Sequence, residues 1–337
     1  DREYLKQLCC NGKGTVAHRK AIAGESVPYD REILKLVDDN GETVAHYLAR
    51  KNRKWFCDDP EILKLKNNKG DTVAHLLAMC NTDWMTDNKE ILSLVNSDGE
   101  TVAHLLVKRN SKWTTRQKDV LKLKNKKGDT VAHYLAKLSI WPRLATDDVE
   151  ILSLVDGFGK TVAHYLADYN EDWTTDDERV LKLKDSNGNT VAHILAGKNT
   201  KRDRKWVTYN KEILELEDEY GWTVAWYLLI STWGTPHEWI PHSRELLSVK
   251  INRYETVAHY LAQHRENWST DDPEILTLKD RYGMTVAHQL ALHNPEWFPS
   301  DLEILKVADN TGWTVAHSFA ESGRNWLKHI DKEHLKE

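Results

Sequence analysis

The 337-residue chain is poor in cysteine, phenylalanine and methionine, with four, four and three of these residues. Four cysteines, all before position 81 and without regular spacing, cannot form a disulfide framework or predict a zinc site. No run of 18 apolar residues occurs, so we predict no membrane-spanning helix. The N-terminal residues show no signal-peptide pattern. These features predict a reducing compartment, the cytoplasm of the producing cell or of a host.

Charge is nearly balanced along the whole chain. There are 47 Lys+Arg against 52 Asp+Glu, a formal net charge of −5, which does not predict nucleic-acid binding by the chain as a whole. With 40% hydrophobic and 29% charged residues, the chain can bury a core and does not resemble a disordered segment.

Motifs of catalysis are missing. We find no glycine-rich phosphate loop, no Gly-x-Ser-x-Gly, no His-Glu-x-x-His and no spaced cysteine pairs. Paired aspartates recur before Glu-Ile-Leu, where helix capping explains them without a catalytic role. We therefore predict a protein that is not an enzyme, with no cofactor and no metal.

Internal repetition dominates what is present. The string Thr-Val-Ala occurs eleven times at intervals of 28 to 33 residues, which predicts a stack of supersecondary units. We predict one elongated array over residues 1–337, with an irregular capping unit near 1–37, an irregular insertion at 197–250 and a C-terminal cap at 314–337. We number the repeats by their threonines: Thr15, Thr43, Thr72, Thr101, Thr130, Thr161, Thr190, Thr223, Thr256, Thr285 and Thr314.

Each repeat predicts a helix, a loop, a short helix and a turn. In the repeat from Asp280 to Asp309, Gly283 suits a turn and Thr285 is placed to cap an amphipathic helix. An Asp-x-x-Glu capping signal, such as Asp58 to Glu61, then precedes a second helix of about two turns.

The pattern Asp-x-x-Gly-x-Thr-Val-Ala-His-x-Leu-Ala resembles the ankyrin repeat, whose signature contains Thr-Pro-Leu-His-x-Ala. It departs from that family in having Val for Pro, a period of about 29 instead of 33 residues, and a shortened second helix. The resemblance implies an all-α, ankyrin-like solenoid of about eleven units with projecting turns that bind proteins.

Two residue types recur once in nearly every repeat. Ten repeats carry a histidine after Thr-Val-Ala, and we interpret it as a neutral linker bonded to backbone groups. Because the neutral form is required, acid should destabilise the array. A tryptophan follows the first helix and is interpreted as packing rather than as a nucleic-acid stacking platform, because aspartates surround many of these positions. The tryptophans are Trp55, Trp84, Trp113, Trp141, Trp173, Trp206, Trp239, Trp268, Trp297 and Trp326.

Exposed turn residues differ between repeats. Repeats two to five carry small polar or charged residues around the turn glycine, whereas later repeats carry aromatics, arginine and methionine, the types enriched where partners dock. We predict a partner-binding strip; the alternative is that neighbouring tips pack on one another. The candidate partner-binding residues are Phe158, Tyr220, Trp222, Arg253, Tyr254, Arg281, Tyr282, Met284 and Trp313.

A basic stretch offers a second candidate. Residues 101–150 contain 11 Lys+Arg and 5 Asp+Glu, a net charge of +6. Such a stretch suits nucleic-acid phosphate or an acidic protein, and the alternative is an ordinary solvated face. The candidate anion-binding residues are Lys108, Arg109, Lys112, Arg116, Lys122, Lys124, Lys126 and Lys127.

The preferred function is a non-enzymatic scaffold or inhibitor that binds a partner protein through the turn-tip aromatics of the C-terminal repeats. The alternative is a nucleic-acid-binding solenoid that uses residues 108–127.

Overall fold

A computed structural model describes residues 2–9, 14–138, 144, 146–198, 206–231 and 241–323. These residues form helices joined by turns, with isolated β-bridges in place of strands. Within them, no helix is both long enough and apolar enough to cross a membrane. The chain is an all-α helical repeat protein, as the periodicity predicted. It divides into two compact units, residues 1–173 and 174–337, which we describe separately.

Every repeat begins its long helix with Val after the predicted threonine. The threonine is extended, and in most repeats its hydroxyl accepts a hydrogen bond from the backbone three residues later, which satisfies an otherwise unpaired N–H group. The long helices are Val16–Ile22, Val44–Lys51, Val73–Cys80, Val102–Arg109, Val131–Ala136 and Val162–Tyr169 in the first unit, and Val191–Gly197, Val224–Ser231, Val257–His264, Val286–His293 and Val315–Glu321 in the second.

The short helices have about one turn, so the prediction of two turns was wrong. Most contain four residues. In the two that begin with proline, the cap is the second aspartate of the pair, Asp59 or Asp272, and proline occupies the first helical position. The short helices are Arg2–Lys6, Arg31–Leu34, Pro60–Leu63, Lys89–Leu92, Lys118–Leu121 and Val149–Leu152 in the first unit, and Glu178–Leu181, Lys211–Leu214, Arg244–Leu247, Pro273–Leu276 and the 3₁₀ helix Leu302–Lys306 in the second.

Both kinds of helix bury a small apolar face. The valine, first alanine and leucine of the long helix are inaccessible, as Val73, Ala74 and Leu77 show, and they pack with the Ile-Leu pair of the short helix. A four-residue helix has too few internal hydrogen bonds to be stable alone. The array therefore depends on burial between neighbouring repeats.

In most repeats, the histidine of the motif completes the helix cap and binds the next repeat. The Thr43 amide donates to Nδ1 of His46 at 3.1 Å, and the His46 amide donates to the Thr43 hydroxyl at 3.3 Å. Because Nδ1 accepts, Nε2 carries the proton and donates to the carbonyl of Asp71 in the next repeat at 3.3 Å. The same interrepeat bond, to the residue before the next threonine, is made by His75, His104, His133, His193, His259 and His288.

The tryptophans bind the preceding repeat. The indole N–H of Trp84 donates to the Cys57 carbonyl at 2.9 Å, and the ring is buried. Trp113, Trp206 and Trp297 make the equivalent bond, to Thr86, Thr175 and Thr270. The packing role predicted for these residues is thus observed. Trp141, Trp239 and Trp326 lie outside the described residues, as do residues 199–205 and 232–240 of the predicted insertion.

Candidate interaction surface

The turn before each long helix is a compact, repeated structure. In repeat ten, the carboxylate of Asp280 accepts hydrogen bonds from the amides of Tyr282 and Met284, at 2.8 and 2.9 Å. Gly283 has φ of +78°, a conformation that strains other residues. Backbone and carboxylate groups therefore hold the turn, and the side chains of Arg281 and Tyr282 are left exposed.

Turn tips of successive repeats in the second unit contact one another. The Asn310 amide donates to the Tyr282 carbonyl at 3.1 Å, which joins the tips of repeats ten and eleven. The Arg281 guanidinium lies 5.0 Å from the Tyr254 ring centroid, which joins repeats nine and ten. A Cβ atom at Gly221 would be 3.5 Å from Nε of Arg253, so repeats eight and nine also adjoin. We call residues 218–222, 251–255, 280–284 and 309–313 the late tip row.

Large aromatic side chains of this row are exposed. Tyr220 is 75% exposed, Tyr254 48%, Tyr282 56% and Trp313 41%. Arg253 and Arg281 are exposed as well, whereas Met284 is half-buried. The residues that the sequence singled out in repeats eight to eleven are thus brought together along one row of tips.

Phe158 stands apart from this group. It is 69% exposed at the tip of repeat six, in the first unit. The tips of repeats two to five of that unit carry polar or charged side chains.

Trp222 contributes more to packing than the other candidates. Its ring is half-buried and stacks on Trp226, with centroids 4.5 Å apart, and its carbonyl accepts from His193 at 3.2 Å. We expected a solvent-facing anchor in Trp222. The stacking arises because Trp226 occupies the histidine position and offers a large ring beneath the tip.

In repeat eight Trp226 occupies the histidine position, and the capping threonine makes the bonds to the next repeat instead. The Thr223 amide and hydroxyl donate to the carbonyls of Ile251 and Lys250 in the next repeat, at 3.2 and 2.9 Å. In the other repeats those threonine groups face histidine Nδ1. The sequence showed the substitution but not the compensating bonds.

Tyr254 changes the turn in which it lies. It occupies the glycine position, and no residue other than glycine in the described part of the chain has a positive φ. The turn adapts through Asn252, whose side-chain oxygen accepts from the amides of Tyr254 and Glu255, two and three residues on. The other turns use spacings of two and four residues. A tyrosine side chain is thereby presented without a strained backbone.

Comparisons with known proteins identify no family for this chain. No protein-family model matches the chain, and no curated protein is similar to it. Among solved structures, it is similar to a chain in the complex of the predatory endopeptidase Bd0816 from Bdellovibrio bacteriovorus with immunity protein Bd3460. The identity is 16%, 44% of this chain and 89% of that chain are covered, and the TM-score is 0.29. It is also similar to the ankyrin repeat domain of Bcl-3, with 12% identity, 62% and 84% covered, and a TM-score of 0.27. TM-scores this low carry no argument about this chain.

The basic stretch is distributed over several parts of its repeats. Lys108 and Arg109 end a long helix, Lys112 and Arg116 lie in the following loop, and Lys126 lies at a turn tip. Lys108 pairs with Glu100 at 3.0 Å, and Lys126 donates to the Ser97 carbonyl at 3.0 Å. Lys122, after the short helix, pairs with Glu150, and Lys124 and Lys127 are exposed. Part of the positive charge is thus neutralised locally.

The buried histidines have lowered pKa values because burial disfavours their charged form. This holds for His18, His46, His75, His104, His133, His193, His259 and His288. Among the residues that the structure describes, no three His, Cys, Asp or Glu side chains are grouped so that they could hold a metal ion.

Proposed function

We propose that this chain is a non-enzymatic interaction protein that binds a partner protein through the late tip row. The observation that carries the proposal is the run of exposed aromatic side chains on tips that contact one another, with Tyr220, Tyr282 and Trp313 each more than 40% exposed. Such side chains supply large contact area with few rotamers to freeze. Their turns are held by backbone and carboxylate bonds, so binding need not order a loop.

The test replaces Tyr220, Tyr282 and Trp313 with Ala in the full chain. Captured proteins from native cells are compared with those captured by the unmodified chain, using quantitative mass spectrometry. A matched control replaces Phe56 and Tyr209, which are 55% and 59% exposed but lie away from the turn tips. We expect one or more partners to be lost with the tip variant and retained with the control. Equal capture by a correctly folded tip variant would exclude this surface.

Nucleic-acid binding by the basic stretch is the second candidate, supported by the exposed side chains of Arg109, Lys112 and Arg116. Binding of single- and double-stranded DNA and RNA is titrated over a salt series. Affinity that falls steeply with salt would favour this candidate, because phosphate binding releases counterions. Absence of binding at low salt would exclude it.

A further inference from the structure

Arg281 lacks the carboxylate partner that several other arginines of the described chain have. Arg31 pairs with Asp59, Arg50 with Glu42, and Arg244 with Asp272 at 2.6 Å. Among the described residues, no carboxylate oxygen lies within 4.0 Å of the Arg281 guanidinium. Its charge is therefore available to a group from another molecule.

Two tyrosines from neighbouring repeats hold this guanidinium in place. Its centre lies 4.3 Å from the ring centroid of Tyr282 and 5.0 Å from that of Tyr254. It also donates a hydrogen bond to the Tyr282 hydroxyl. Cation–π contacts on two rings restrict the side chain, so less rotamer entropy is lost when it binds a partner.

A shallow cleft of about 240 Å³ lies beside these rings, lined by Asn252, Tyr254, Glu255, Asp280, Arg281 and Tyr282. Its two carboxylates are already engaged: Asp280 accepts from its own turn, and Glu255 accepts from Asn252 at 3.0 Å. The cleft thus combines a guanidinium that lacks an acidic partner with aromatic walls.

We propose that the tip of repeat ten recognises a carboxylate of an extended, acidic segment of the partner protein, with Arg281 as its charged anchor. The planar guanidinium matches a carboxylate through two parallel hydrogen bonds, which a lysine would not provide. Tyr254 and Tyr282 then contact apolar groups flanking that carboxylate. This inference rests on the proposed function of the late tip row.

The experiment selects binders from a random-peptide display library on the immobilised full chain. We expect the selected peptides to share an Asp or Glu beside an aromatic or aliphatic residue. Arg281→Gln should bind these peptides roughly 10- to 100-fold more weakly, the cost of losing one charge-assisted interaction. Arg281→Lys should recover only part of that loss. Arg53→Gln, at an exposed arginine of the first unit that belongs to neither candidate surface, removes the same charge elsewhere and should have no effect.

The outcomes separate this inference from the proposed function. If Tyr282→Ala binds the selected peptides more weakly and Arg281→Gln does not, the late tip row remains the binding surface and the proposal of Arg281 as carboxylate anchor is overturned. If the library yields no peptide that Tyr282→Ala binds more weakly than the unmodified chain does, the proposed binding surface and the carboxylate anchor are both overturned. Selection of basic or uncharged peptides, with equal binding to Arg281→Gln, also overturns the anchor. Thermal unfolding of each variant is measured beside wild type, so that weak binding is not mistaken for misfolding.

Discussion

The tips of repeats two and ten have the same turn conformation and differ in the side chains that they display. Gly41 and Gly283 have φ of +71° and +78°, and in both turns an aspartate carboxylate accepts from amides two and four residues on. The first turn displays Asp39 and Asn40; the second displays Arg281 and Tyr282. Because the same bonds hold both turns, the aromatic side chain is not required to form one. This difference between equivalent positions is what points to recognition.

Unfolding in acid is the strongest test of the structure that the repeats have in common. In the folded protein the buried histidines have pKa values below the ordinary 6.5, so as pH falls below about 6.5 the unfolded chain takes up protons that the folded chain does not. Each histidine then costs up to about 1.4 kcal/mol of unfolding free energy per pH unit. We expect urea unfolding midpoints to fall steeply between about pH 7 and 5.5, above the range in which carboxylates titrate. Unfolding midpoints that do not change over this pH range would contradict the conclusion that these histidines are buried in the neutral form.

A single histidine substitution sharpens the same point. His75→Ala removes a buried ring whose Nδ1 accepts from Thr72 at 3.2 Å and whose Nε2 donates to the Glu100 carbonyl at 3.3 Å. We expect about 3 kcal/mol of destabilisation in urea, because both partners are left unpaired beside a cavity.

The matched control is His317→Ala in the last described repeat. His317 accepts from Thr314 in the same cap but is exposed. About 1 kcal/mol or less is expected there. Equal losses for His75→Ala and His317→Ala would show that the interrepeat bond contributes little.

Contact between tips is tested with two glycines of similar φ. Gly283→Ala would place a Cβ 2.7 Å from the Asn310 backbone nitrogen, whereas Gly312→Ala, at φ +87°, meets nothing within 4 Å. Both changes strain the backbone, so we expect about 1 kcal/mol for Gly312→Ala and about 2 kcal/mol or more for Gly283→Ala. Thermal unfolding measures the difference. Identical effects would mean that the tips of repeats ten and eleven do not press together.

The smallest effect is expected at the aromatic tips themselves. Tyr220→Ala removes a side chain that is 75% exposed, and its stability should change by no more than about 0.5 kcal/mol. Trp222→Ala should cost more, because that ring stacks on Trp226. Both are measured by urea unfolding. A large loss for Tyr220→Ala would favour the alternative, that tips serve only to pack on one another.

The recurring Thr-Val-Ala motif was sufficient to predict much of the fold. A threonine before an apolar period, repeated eleven times, identified every long helix and its cap, and the histidine was correctly interpreted as a backbone linker. The length of the short helix was overestimated: the helix begins one residue after the predicted start, at Pro60, and ends at Leu63, just before the bridge residue Lys66. The sequence also identified which tips are unusual, but not that Trp222 packs against Trp226.

What the sequence by itself determined is local: where helices begin, which residues cap them and which tips carry aromatics, since these depend on neighbours within a few positions. Only the tertiary structure decided which atoms of adjoining repeats meet. Thr223 reaches the Ile251 carbonyl, 28 residues away, and Arg281 lies between rings from two repeats. Such pairings depend on how one repeat stacks on the next, because ångström-scale distances between repeats decide which hydrogen bonds and ring contacts form.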